Sequence, residues 1–321
     1  DAIPPPDPGS EVMLHHPDGT MDLIPRPCFA PTLRSARGGD WNTAATWDAG
    51  RPPTSVDKVQ VTHRVTQTGN AICDSWEVGV GGSLFHEGKL SFANGLVLEG
   101  GEYLCGRAAE TVFRDVPPTD PKQFLTGLIV LGRIRSAGDP KTSWAFADQP
   151  PAAGMTALHL AGPVAGWKAG EKILVTDSET PPPFHVLQQD PTLANIPPGG
   201  ELIPLASVSA DGRTITLAQP LQRDHPVIDT LYPAIANLTR SSLIRSENRD
   251  GNRGHMLFAH HADVDIRDTE FQDLGRTALE PNPLVNPRPV VVPALLGLPD
   301  SLRDLADEEL QLGLAREHGG S

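Results

Sequence analysis

The octet VGVGGSLF at residues 78–85 lines up with VLEGGEYL at 97–104 at a shift of 19, and LIVLGRI at 128–134 repeats the scheme more loosely. This internal echo constrains the fold more than any other feature of the chain. A repeat of roughly 20 residues is the length of one coil of a β-solenoid, in which inward side chains of each turn stack on the next. The glycines of each copy permit tight corners between strands. Neighbouring strand signals are equally short: VQV at 59–61, WEVGV at 76–80, SLF at 83–85 and KLSF at 89–92, each ending at glycine or a polar residue. Thirty-one glycines and 33 prolines punctuate the chain, and long helical patterns are nearly absent. The expectation is an all-β coil. The alternative is a β-sandwich whose glycine pairs coincide by chance.

A chain of 321 residues can bury a sizeable core. It contains no run of about 18 apolar residues, so no membrane span is predicted. Forty acidic against 26 basic residues give a net charge of −14, which opposes nonspecific binding to nucleic acid or anionic membrane. A polyanionic ligand would need a local basic groove. Residues 1–37, opening DAIPPPDPGS, lack a periodic apolar face and read as a leader or linker along the surface. The first residue is Asp1 rather than methionine, which leaves a removed signal peptide and a fragment both open. Cys28, Cys73 and Cys105 are too few for a disulfide framework; they form one bridge, Cys73 to Cys105, or remain buried thiols.

Proline-rich stretches at 107–121 and 180–200 read as long loops leaving the coil, and such loops often carry binding work. Strand signals resume at KILV (172–175), TITL (214–217) and SLIR (242–245). The densest run, GHMLFAHHADVDIRDTEFQDLGR at 254–276, reads as a further rung with Val264, Ile266, Thr269 and Phe271 pointing inward. A proline-rich connector at 281–293 then leads to a short acidic helix capped by Ser301, with Asp304 three residues on.

GGDWNTAATWDAGRPP at 38–53, with paired tryptophans before a first strand, resembles the opening of the eight-glycine (G-eight) domain. GWKAGEKILVTDSE at 166–179, DGRTITLAQPLQRDH at 211–225, NLTRSSLIRSE at 237–247 and the 254–276 run follow in that family's order. The family includes animal hyaluronan-binding and hyaluronan-degrading proteins of the cell-migration-inducing type. The resemblance implies a right-handed parallel β-helix, a polysaccharide ligand and an extracellular or cell-surface location. It places an eight-glycine domain at 38–165 and a β-helix continuation at 166–280. Two features depart from the family pattern: Glu171 stands where aspartate is usual, and no His-Phe-His strand follows the Gly-Arg step at 275–276. The second departure weighs against catalysis by this chain.

Hydrolysis of a glycosidic bond needs a carboxylic acid for the leaving oxygen and a second carboxylate roughly 5–9 Å away. The acidic run Asp263, Asp265, Asp268, Glu270 and Asp273 offers them, with Asp268 and Asp273 as candidate catalytic acids. Asp263 and Asp265 share a strand face and are candidate oxygen ligands for calcium, unless the run is simply a solvated face. His255 follows Gly254 in the family-like step and is the candidate acid–base histidine; a structural turn histidine is the alternative. His225 ends an earlier rung, and His260 and His261 would point to opposite faces of a regular strand. No zinc-like cysteine and histidine spacing occurs. Arg240, Arg245, Arg249 and Arg253 make a locally basic stretch. Arg245, Arg249, Arg253 and Arg276 are candidate contacts for a uronate carboxylate in binding or lyase chemistry, or ordinary surface ion pairs. Trp144 is the candidate to stack on a sugar ring, while Trp41 and Trp47 read as a cover over the first end of the coil. Asn237-Leu238-Thr239 matches a glycosylation sequon. An enzyme predicts a cleft where carboxylates and a histidine converge; a recognition module predicts an open basic or aromatic surface.

Overall fold

The computed structural model describes residues 10–15, 21–28, 30–117, 126–177 and 200–275. The strands all lie in the compact unit Asp1–Leu274. The expected acidic helix and Arg276 fall outside the described residues.

The chain opens with an antiparallel hairpin, β1 (Glu11–His15) and β2 (Met21–Pro25). Strands β3 (Leu33–Arg34) and β4 (Gly39–Asp40) then begin two parallel sheets. Each following turn supplies one strand to each of three sheets in the same order. The first full turn is β5 (Lys58–Val61), β6 (Arg64–Gln67) and β7 (Asn70–Ile72); the next is β8 (Ser75–Val78), β9 (Ser83–His86) and β10 (Lys89–Phe92). The third is β11 (Asn94–Val97), β12 (Glu102–Cys105) and β13 (Glu110–Phe113). The internal echo is the rung register itself: Val78 pairs with Val97 and Ser83 with Glu102, all in parallel.

Side chains alternate as a two-residue period requires. β5 (KVQV), β6 (RVTQ) and β12 (EYLC) bury every second residue. The inward positions stack into one core that includes Val59, Trp76, Leu84, Leu90, Tyr103 and Phe113. In the first sheet β8 departs from alternation, with all four of its residues buried, because both faces are covered there. Its outer face meets the N-terminal hairpin, where Val12 packs on Leu96, Ile129 and Leu131 and Arg26 pairs with the buried Glu77. Strands β1 and β2 thus lie as a cover over that face, within the stretch expected to be a surface leader or linker. Trp41 and Trp47 are buried edge to face in the core, 5.2 Å apart, beside the first strands.

Two glycine positions show why the repeat needs them. Gly100 has φ +77, a left-handed corner, and a Cβ on Gly101 would stand 2.7 Å from the carbonyl of Val78 on the rung below. Gly95 faces inward beside Trp76, whose ring would lie 2.8 Å from an added Cβ. The core admits one large side chain there only because its neighbour has none.

The fourth turn begins with β14 (Gly127–Val130) and β15 (Arg133–Ala137) and is then interrupted. The chain builds β16 (Trp144–Phe146), β17 (Ala157–His159), β18 (Lys172–Thr176), β19 (Gly200–Val208), β20 (Thr214–Leu217) and β21 (Ala234–Asn237). They form an antiparallel sheet in the order β16-β21-β18-β19-β20-β17. Its edges join through Ala161 N–H to Phe146 O (2.9 Å) and Asp148 N–H to His159 O (3.0 Å), which closes a barrel. A bulge at Leu205/Ser207 bends the nine-residue β19 between its two partners. The barrel has its own core around Leu158, Ile173, Leu205, Ile215 and Ile235. KILV and TITL, read as resumed strands of the coil, therefore belong to this barrel.

The interrupted turn is completed by β22 (Ser242–Ser246), which pairs in parallel with β13. β23 (His255–Phe258), β24 (Asp263–Arg267) and β25 (Thr269–Gln272) add a last described rung. Val264, Ile266, Thr269 and Phe271 sit opposite the inward Ile134, Ser136, Ser242 and Ile244, the orientation expected of them. The expected loop at 107–121 instead contains β13; residues 178–199, most of the second expected loop, lie outside the described residues.

The barrel's neck is held by a buried ion pair, Lys141 Nζ to Glu171 Oε1 at 2.5 Å. Burial works to raise the Glu171 pKa. Lys141, the Lys168 N–H and the Asn237 amide outweigh it and hold the group below the ordinary glutamate value. Asn237 is itself 1% exposed, with Nδ2 donating to Glu171 Oε2 at 2.6 Å. The sequon is closed to glycosylation in the folded chain. All three cysteines are free and buried, so the Cys73–Cys105 bridge is not formed; burial raises each thiol, Cys105 to about 11.

Candidate ligand-binding surface

The candidate catalytic residues are not gathered. His255 opens β23 in the first sheet, while Asp268 and Asp273 flank β25 in the third. Both aspartates have left-handed backbones, φ 48 and 52, which aspartate tolerates. A four-residue strand separates them, roughly 15 Å at ordinary strand rise, too far for a carboxylate pair sharing one glycosidic bond. Each lies instead beside an arginine: Asp268 is 3.9 Å from Arg240 and Asp273 is 3.8 Å from Arg249.

The candidate calcium ligands are also committed to guanidinium groups. Asp263 and Asp265 do share the outer face of β24, but Asp263 accepts from Arg135 (2.5 Å) and Arg133 (2.9 Å). These bonds hold the Asp263 carboxyl below its ordinary value. Asp265 pairs with Arg267 at 2.7 Å. The register explains the pattern, since Glu102, Arg133 and Asp263 stand opposite one another on successive strands and form a charge ladder. A calcium ion would have to displace these arginines, so the pair does not fit that ion. Among the described residues no group of three or more His, Cys, Asp or Glu is arranged to hold a metal.

The arginine-rich stretch is similarly engaged. Arg245 binds Glu110 through Nε (2.9 Å) and Nη2 (2.8 Å). Arg249 is exposed and pairs with Asp273, and Arg253 is half-buried in the same loop. Sequence reasoning missed the organiser of that loop, Asp115, whose carboxylate accepts from Asn252 N (2.7 Å) and Asn248 Nδ2 (2.8 Å). Those bonds lower the Asp115 pKa. His260 and His261 occupy a turn rather than a strand, and His260 Nε2 bonds to Met13 O at 2.7 Å.

A histidine and two carboxylates do converge, inside the barrel. His225 Nδ1 lies 3.2 Å from Thr176 O and 2.5 Å from Asp177 Oδ1, and Nε2 lies 3.0 Å from Glu201 Oε1. Burial acts to raise the Glu201 pKa, but the N–H groups of Gln222 and Arg223 and the His225 ring hold it below its ordinary value. The His225 side chain is fully buried. It presents no atom to a substrate and ties the end of β18 to the start of β19.

The open chemistry lies on the barrel's outer face. Of the five tryptophans, four are buried and Trp144 is 52% exposed. Phe146, two residues on and on the same face, is 44% exposed and meets Trp144 edge to face at 4.9 Å. Trp144, Ala236, Leu174 and Leu202 stand side by side across β16, β21, β18 and β19, forming an apolar row. Next to Phe146 a groove of about 360 Å³ is lined by Asp148, Ala161, Thr230, Leu231 and Tyr232. Flat rings beside hydroxyl and carboxylate acceptors can stack on the apolar side of a pyranose and take its hydroxyl hydrogens. Of the candidate binding residues that are described, Trp144 alone enters this surface; Arg245, Arg249 and Arg253 belong to the coil.

No protein-family model, curated protein or solved structure matches the chain.

Proposed function

We propose that this chain is a right-handed parallel β-helix of the eight-glycine class and an extracellular polysaccharide-recognition module that binds through the barrel's aromatic face. The three-sheet parallel coil suits that fold, and the right hand follows the general preference of crossovers between parallel strands. The observation that carries the binding reading is the exposed Trp144–Phe146 pair beside an open groove. Monomeric proteins rarely leave such rings clustered in water without a use. The separation of His255, Asp268 and Asp273 favours recognition over cleavage. Incubation with hyaluronan and a panel of other polysaccharides, with and without calcium, tests this when both binding and polymer length are measured. Trp144-dependent binding without shortening is the expected result. Shortened polymer would replace it with the enzymatic reading, and absence of all binding would leave a structural coil.

A further inference from the structure

We infer, resting on the binding reading above, that the barrel groove takes an uncharged polysaccharide rather than a uronate-containing one. Charge at the groove carries the argument. Among the described residues the only charged side chain lining it is Asp148, which is exposed, and Asp229 stands exposed in the turn beside Thr230. No lysine, arginine or histidine among the described residues lines it. A described cation does reach the wall, since Arg213 Nη1 donates to Ala161 O at 3.3 Å, but its backbone N–H is bound to the Asp211 carboxylate, which keeps an acid close by.

Arginines that could have met a uronate elsewhere are engaged by the chain's own acids: Arg245 by Glu110, Arg240 by Asp268, and Arg133 and Arg135 by Asp263. A net charge of −14 adds a long-range field against any polyanion. What remains at the groove suits a neutral hexopyranose. Phe146 in the lining and Trp144 packed against it offer rings, while Asp148 and Thr230 offer oxygens to adjacent hydroxyls. A sugar carboxylate within a few ångströms of Asp148 would lose about tenfold or more in affinity by repulsion alone.

The test measures binding of the full chain to lichenan and xyloglucan as neutral polymers, and to hyaluronan and polygalacturonate as acidic ones, at low and high salt. Neutral polymer is expected to bind with little salt dependence, and acidic polymer to bind at least about tenfold more weakly. Trp144→Ala should weaken neutral binding about tenfold, with Trp144→Tyr restoring most of it; unchanged circular dichroism and melting temperature keep this a surface effect. Asp148→Asn should raise the ratio of acidic to neutral affinity, which a merely structural aspartate would not do. Acidic polymer bound as tightly as neutral, and through Trp144, would overturn the uncharged preference and leave glycan recognition standing. No binding to any of the four would overturn both.

Discussion

Acid should destabilise this coil through one residue before its carboxylates matter. His86 ends β9 with its ring fully buried inside the coil. Its Nδ1–H donates to Gln67 Oε1 at 2.7 Å, and its face stacks on Tyr103 with the planes 8° apart. Burial penalises the imidazolium and lowers the pKa to about 3 from 6.5. The unfolded chain therefore takes up a proton near pH 6.5 that the native state refuses until near pH 3, so stability falls as pH falls through that window. The full span corresponds to about 5 kcal/mol at most, against a typical total of 5–15 kcal/mol. Between pH 6.5 and 5, where most carboxylates stay ionised, His86 alone should remove about 2 kcal/mol. Urea unfolding across pH 5–8 reads this directly. His86→Gln should cost about 1–3 kcal/mol at pH 8, through the lost stacking and hydrogen bond, yet show a flatter profile below pH 6.5. Parallel profiles for the two proteins, or an NMR titration of His86 near 6.5, would refute the argument.

Other consequences concern the core, the neck and the thiols. Gly95→Ala drives a methyl toward Trp76, Leu128 and Phe92, at 2.8, 3.0 and 3.0 Å, and should cost about 1–3 kcal/mol in denaturant midpoint measurements. Lys141→Met leaves the Glu171 carboxylate without its buried cation and should cost about 3–5 kcal/mol, with amide exchange in β18 and β21 accelerating before that in β8 and β11. The native chain at pH 8 should give almost no reaction with a thiol reagent, and three thiols should react on unfolding, since burial raises every cysteine pKa.

How far the fold could be read depended on how regularly the rungs recur. Ser75 pairs with Asn94, 19 residues on, and that spacing is the echo visible in the sequence. Asn94 pairs with Gly127, 33 residues on, a spacing that blurs the repeat, and Gly127 pairs with His255 only after the barrel has intervened. Inward positions of the last rung were legible because alternation is local. Strand β13 was not, since ETVF stands beside charge and proline. The barrel strands carry the same short β signals as the coil, and nothing in KILV distinguishes an antiparallel partner from a parallel one. The roles of the acids and arginines stayed open for a related reason. Arg133 and Asp263 are 130 residues apart, and only the register that sets them side by side turns a candidate calcium ligand into half of an ion pair.

The same register explains why recognition would fall to the barrel. On the second sheet successive strands meet in exact register, so an acid on one rung finds an arginine on the next, as Glu102, Arg133 and Asp263 do. The ladder satisfies itself and leaves little for a ligand. The first sheet's outer face is spent differently, beneath the N-terminal hairpin. The barrel breaks the repeat between β15 and β22, and its strands come from unrelated sequences whose outer residues need not pair with copies of themselves. Among the described residues, only there do a tryptophan and a phenylalanine stand together in solvent beside a groove. An insertion into one turn thus gives a self-paired coil the unmatched surface that binding requires, while the Lys141–Glu171–Asn237 neck holds that surface to the coil.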